Sequence, residues 1–190
     1  MRLPIRKYGD PILRKQGKLV TNFDEFITVL AQNMIDTMHE ANGVGLAAQQ
    51  IGEPIQLAVI DVSEVEGRPS TIKINGELRD INAVMPLVLI NPEIISAEAK
   101  QWDVEGCLSI PGVNDEVLRP AVVSAVAADT EGQRFEIEVT GLIARALQHE
   151  MDHLKGVLFT DRLTAGRKLK WRKELRRLEK RTIDELSGAL

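Results

Sequence analysis

The chain has 190 residues, 44% of them hydrophobic and 27% charged, which suits one folded domain and excludes disorder or a fibrous repeat. No apolar run approaches the roughly 18 residues of a membrane span. The opening Met1-Arg2-Leu3-Pro4-Ile5-Arg6-Lys7 carries no apolar signal segment, so a cytoplasmic protein with no membrane partner is expected. The net charge of −4 argues against wholesale nucleic-acid binding, DNA included, but it is uneven: from Asp161 onward ten Lys/Arg face five Asp/Glu, a basic tail suited to a polyanionic partner.

Apolar residues at Phe23, Phe26, Ile27, Leu30, Met34, Ile35 and Met38 recur at helical spacing, with Asn22 or Asp24 as cap and Gly43 as stop. A Gly-rich stretch, Gly43 to Gln50, precedes a buried strand over Ile55 to Val62. The polar segment Ser63 to Ala83, with its Asn75-Gly76 turn signal, predicts a long loop or a protruding hairpin. Strands are expected at Leu87 to Asn91 and Glu93 to Ala99, on either side of Pro92. Val122 to Ala128 and Arg134 to Val139 read as a hairpin around Asp129-Thr130-Glu131-Gly132. From Thr140 the period becomes helical through Leu142, Ile143, Ala146, Leu147, Met151 and Leu154, ending at Gly156. A last helix runs from about Thr164 to about Ser187. Strands in the middle with helices before and after them define an α+β class.

Chemistry concentrates in rare residues. Of three histidines, His149 and His153 lie four apart in His149-Glu150-Met151-Asp152-His153, so both imidazoles share one helix face and can reach one metal ion. Glu150 is placed to move protons without ligating. Burial is expected from flanking Leu147, Met151 and Leu154, and a buried unpaired His or Glu would be costly. A catalytic site usually needs a third protein ligand. The candidates are a downstream acidic residue, the first being Asp161, or the single cysteine, Cys107, which can equally be a small buried hydrophobe.

Three segments in order, Gly43-Val44-Gly45-Leu46-Ala47-Ala48-Gln49-Gln50, Glu105-Gly106-Cys107-Leu108-Ser109 and His149 to His153, resemble the signature of the peptide deformylases. The resemblance runs from about Leu3 to Arg177. It implies a catalytic unit over residues 1–165 and a basic C-terminal helix over 166–190 of the same domain. It also implies a central H-E-x-x-H helix packed among antiparallel β-sheets. Cys107, His149 and His153 become ligands of one divalent metal, Fe²⁺ by resemblance, with Zn²⁺, Ni²⁺ or Co²⁺ as substitutes. Ligand chemistry alone would favour Zn²⁺.

The implied reaction is hydrolysis of the N-formyl group from formylmethionyl nascent peptides, with metal-bound water as nucleophile and Glu150 as general acid/base. Gln50 and the Leu108 N–H are the implied oxyanion donors. Gly43 and Gly45 would pair with substrate backbone, and Val44, Leu142 and Ala146 would line the methionine slot. Glu105 and Arg119 are the implied supporting ion pair, and the basic tail would dock on the ribosome. A zincin-type endopeptidase shares H-E-x-x-H, and a catalytically silent ribosome-binding relative would share the whole pattern. Two departures stand out. The 63–83 segment is expected to be an insertion, and Asn114-Asp115-Glu116 stands where some relatives carry a basic residue near the substrate.

Overall fold

A computed structural model describes residues 2–188. The first helix, α1 (Glu25–Glu40), starts where expected: Asp24 is extended and its side chain accepts from the Ile27 N–H. Its end differs. Asn42, not Gly43, takes the left-handed turn at φ 53°, and the Gly43 N–H then closes on the Met38 carbonyl. The buried face of α1, including Ile27, Leu30, Met34 and Met38, packs on Leu46, Leu57, Val59 and Ile90 of the sheet.

Among the described residues the strands form a single sheet of seven rather than several sheets. It comprises β1 (Gly45–Ala47), β2 (Leu57–Ile60), β3 (Ile72–Ile74), β4 (Glu77–Arg79), β5 (Leu87–Gly106), β6 (Asn114–Ala128) and β7 (Arg134–Thr140). All neighbours are antiparallel, in the order β1-β2-β5-β6-β7-β3-β4. Every residue of β2 is buried because α1 covers one side and the central helix the other, which explains its unbroken apolar run.

The two strands expected around Pro92 form one. Pro92 falls in a bulge between the Ile90 and Glu93 pairings, where a missing N–H costs no ladder bond. Asn91 anchors that bulge by bonding both the N–H and the carbonyl of Val20. The hairpin of β3 and β4, followed by the short helix α2 (Ile81–Val84), occupies the segment expected to be a loop or hairpin.

The second core lies between the sheet and α3 (Gly141–Leu154), which is buried along almost its whole length. Thr140 precedes α3 but does not cap it with its side chain, since its hydroxyl accepts from the Thr71 N–H instead. Ser70 does the capping: its Oγ accepts from the Leu142 N–H at 2.9 Å and the Ile143 N–H at 3.3 Å. The backbone comes so close here that a Cβ on Gly141 would lie 2.0 Å from the Pro69 carbonyl oxygen.

A third core holds Leu13, Ile110, Val113, Val117 and Leu163 with the short helix α4 (Phe159–Arg162), beneath α5 (Ala165–Leu186). Helix α5 contributes Trp171, Leu175 and Leu178. It is fastened at Asp115, whose nearly inaccessible carboxylate meets Arg167, Lys170 Nζ at 3.1 Å and Trp171 Nε1 at 2.7 Å. Burial opposes ionisation there. Hydrogen bonds from Trp171, Arg167, the Glu116 backbone and Lys170 outweigh it and hold the carboxyl well below its ordinary value of 3.8. A depressed pKa contributes stability that is present above the ordinary value and lost as pH falls. Asp115→Asn should therefore melt below wild type at pH 7, and the gap should close as pH drops below about 4. Paired thermal melts across that range measure it.

Candidate metal centre

Three elements converge on one cleft of about 320 Å³. Strand β1 and the 3-10 turn after it (Ala48–Ile51) bring Gly45 and Gln50, the loop after β5 brings Cys107 and Leu108, and α3 brings His149 and Glu150. Cys107, His149 and His153 form the one cluster of this kind among the described residues, with one potential ligand atom from each lying within 4.8 Å of the others. Cys107 Sγ is 3.3 Å from His153 Nε2. Sequence spacing supplied the two histidines, and the fold brings the lone thiol to them.

Orientation comes from a buried ion network. His149 Nδ1 lies 3.0 Å from Glu105 Oε2, which fixes the ring and leaves Nε2 for the site. Glu105 is in turn held by Arg119, from Nε at 2.5 Å and Nη2 at 2.9 Å, and by Arg145 Nη1 at 2.7 Å. Arg119 Nη1 also reaches Asp152 at 2.8 Å, and Arg162 Nη2 reaches it at 2.6 Å. The ion pair between Glu105 and Arg119 is thus present, inside a larger cluster that sequence reasoning did not include. Burial opposes the Glu105 charge, but His149 and Arg119 hydrogen bonds dominate and hold its pKa at about 2.

Burial and the neighbouring His149 keep His153 well below its usual range, hence neutral, the form that ligates. For His149 burial is outweighed by Cys107 and Glu105, which raise its pKa, so metal entry there would displace a proton. Phe159 stacks on His149 with centroids 6.0 Å apart and closes that side of the ring. No sequence motif pointed to it.

Glu150 is buried, and desolvation pushes it up to about 7, with the Glu105 charge adding to the rise and His149 opposing it. Its Oε2 has no hydrogen-bond partner among the described residues, a costly arrangement that a bound water or ion would relieve. Gln50 accepts from the Ala47 N–H at 2.8 Å, which turns its amide nitrogen toward Ser109 Oγ at 3.1 Å and Cys107 Sγ at 3.5 Å. Lys7 Nζ holds the Leu108 carbonyl at 2.8 Å, and the Tyr8 N–H holds that of Ser109, so the N-terminal segment braces the cysteine loop. Gly43, Val44, Gly45, Leu108, Leu142 and Ala146 all line the cleft.

Gly45 is the most constrained of these. A Cβ there would lie 2.3 Å from Glu150 Oε1 and 2.8 Å from its Cδ. Gly45→Ala should displace that carboxylate and lower kcat by about 10²-fold. Metal content and melting temperature should stay near wild type, and steady-state kinetics with metal analysis decides the point.

Two nitrogen donors and one sulfur donor beside a buried, high-pKa carboxylate define a metal-dependent hydrolase. The donors are soft and borderline, the thiolate and imidazoles that a transition ion accepts. A family model described as polypeptide deformylase matches residues 2–169. The chain is 44% identical over 160 residues to a peptide deformylase of Clostridium botulinum, covering 84% of this chain and 95% of that one. Its fold matches a peptide deformylase structure from Legionella pneumophila with a TM-score of 0.79 at 38% identity, over 95% of this chain and 96% of the other. An Arabidopsis thaliana peptide deformylase solved with an inhibitor matches with a TM-score of 0.83 at 39% identity, over 99% and 94% of the two chains. The chain belongs to the polypeptide deformylase family.

Proposed function

We propose that this protein removes the N-formyl group from N-terminal formylmethionine of newly made polypeptides, releasing formate. The observation that carries this is the convergence of Cys107, His149 and His153 beside buried Glu150, in a cleft edged by Gly43–Gly45, in a chain of this family. Cys107, His149 and His153 would hold one divalent metal, which when bound acidifies water and stabilises negative charge on oxygen. Glu150 takes a proton from the attacking water and delivers it to the departing amine. The Gln50 amide and the Leu108 N–H donate to the formyl oxygen as it becomes negative. β1 is an edge strand with β2 on one side only, so Gly43 and Gly45 can pair with the peptide backbone as an added strand would. Val44, Leu142 and Ala146 take the unbranched methionine side chain. As the C–N bond breaks, the formyl carbon leaves with the water oxygen as formate and the peptide keeps a free amine.

Fe²⁺ is the proposed physiological metal, with Zn²⁺, Ni²⁺ or Co²⁺ able to substitute. Residues 1–165 serve as the catalytic unit and 166–190 as a basic C-terminal helix segment of the same domain that contacts the ribosome; the helix observed is Ala165–Leu186, and residues 1, 189 and 190 lie outside the described residues. Exposed Arg172, Lys173, Arg176 and Lys180, which make no ion pair among the described residues, support that contact. A cytoplasmic location fits both the substrate and the lack, among the described residues, of any helix long and apolar enough to cross a membrane. Neither DNA nor a membrane is a proposed partner. The test is anaerobic loading with Fe²⁺ and measurement of formate from a formyl-Met tripeptide. Formate far in excess of enzyme is expected, and more from iron-loaded than zinc-loaded protein. A folded, metal-loaded protein that releases none would overturn the assignment.

A further inference from the structure

The cleft wall carries charged side chains with very different freedom. Glu105, Arg145, His149 and Glu150 are each less than 9% exposed and face inward. Arg145 is committed to Glu105, to the carbonyls of Gln101 and Val117 and, through Nε, to the Asp103 carboxylate. Arg68 is the exception: it also lines the cleft, yet its side chain is 37% exposed. It comes from the segment expected to be an insertion, and its place is set by the catalytic helix itself. Ser70, two residues on, caps α3, and Thr71 bonds Thr140. The backbone beside Arg68 is therefore anchored.

The partner of Arg68 is Asp103 on β5, also half-exposed. Asp103 does not depend on Arg68 for compensation. Arg145 Nε lies 3.6 Å from the same carboxylate, and the Val104 N–H donates to it at 2.7 Å. Counting the chain of ion pairs around the helix, four guanidiniums (Arg68, Arg119, Arg145, Arg162) meet three carboxylates (Asp103, Glu105, Asp152). That chain ends in an exposed arginine on each side, Arg68 and Arg162, and of the two only Arg68 lines the cleft. Asn114 lines the same cleft and brings no charge.

We propose that Arg68 is a specificity-determining residue that receives an acidic side chain from one of the residues following formylmethionine. This rests on the deformylase assignment above. Arg68 exchanges its exposed pairing with Asp103 for the substrate carboxylate, and Arg145 keeps Asp103 compensated while it does so. The interaction is electrostatic and partly solvated, so it acts on kcat/KM by a modest factor and weakens with salt.

The test compares formate release from formyl-Met-Asp-Ser, formyl-Met-Ala-Ser and formyl-Met-Lys-Ser by iron-loaded wild type, Arg68→Ala, Arg68→Lys and Arg68→Glu. The readout is the ratio of kcat/KM for the charged to the uncharged peptide within each variant, which cancels any general loss of activity. Wild type should favour Asp over Lys by about five- to tenfold at low salt, shrinking at 0.5 M salt. Arg68→Lys should keep the sign of the preference, Arg68→Ala should lose it, and Arg68→Glu should reverse it. A ratio that is the same in wild type, Arg68→Ala and Arg68→Glu overturns the proposal alone. No formate from the uncharged peptide with wild type overturns the deformylase assignment, and the proposal with it.

Discussion

Glu150→Gln is expected to lower kcat for formate release by about 10²- to 10⁴-fold, the range general acid–base groups supply. The amide keeps the shape of the side chain but can neither accept the proton of the attacking water nor return one to the amine. Cys107, His149 and His153 are untouched, so metal content should equal that of wild type. A second readout separates chemistry from folding. In the metal-free protein Glu150 has a pKa near 7 in place of its ordinary 4.5, because burial penalises the charged form. A raised carboxyl pKa means stability that is complete below about 4.5 and lost as pH rises through 7. Metal-free Glu150→Gln lacks that loss, so its melting temperature should gain on wild type between pH 5 and pH 8. Loss of activity with the opposite stability trend would mean that the substitution had damaged the fold.

The second large effect concerns Arg119, which is only 4% exposed and bridges Glu105 to Asp152. Arg119→Met keeps much of the volume and removes the cation, leaving two buried carboxylates with fewer partners. Losing one side of a buried ion pair costs about 3–5 kcal/mol. Arg145 and Arg162 still hold Glu105 and Asp152, so the lower figure of about 3 kcal/mol is expected. At this chain length that is a fall of roughly 6–12 °C in melting temperature. Because Glu105 fixes the His149 ring, metal affinity should also drop, by about 10- to 100-fold. Thermal melts of the metal-free protein and a competitive chelator titration measure the two effects separately. Undiminished metal affinity in a destabilised variant would limit the network to a folding role.

Local rules made the helices and the histidine pair legible, because a period of 3.6 and an i,i+4 spacing are written in consecutive residues. Strand β5 was legible only in part. Residues 96–102 are exposed at both faces of the sheet, so no apolar alternation marks them, and Pro92 in its bulge resembles a break. The cap on α3 was out of reach for a different reason: Ser70 precedes the helix by some seventy residues, and Thr140 occupies the local capping position. Within the site, Cys107 could be matched to the histidines only through its motif. Glu105 and Arg119 are not opposite one another, since Arg119 faces Gln101 and Glu105 faces Asp115 across the hairpin. Strand register alone would not pair them. Arg162, Phe159 and Arg68 reach the site region through tertiary packing that leaves no periodic trace, whereas Arg145, one turn before His149 on α3, shares the histidine face by the same i,i+4 spacing.

The seat of α5 has a practical consequence for optical work on this protein. Its only two tryptophans, Trp102 and Trp171, both lie there: Arg167 of α5 sits over the Trp102 ring at 5.6 Å, and the Trp171 indole donates to Asp115. Neither lines the metal cleft. Intrinsic fluorescence therefore reports on whether the C-terminal helix is docked, through indoles touched by a cation and a carboxylate. It is nearly silent on what enters the cleft. An emission change on adding ribosomes would signal movement at that helix, whereas substrate binding needs a probe placed elsewhere.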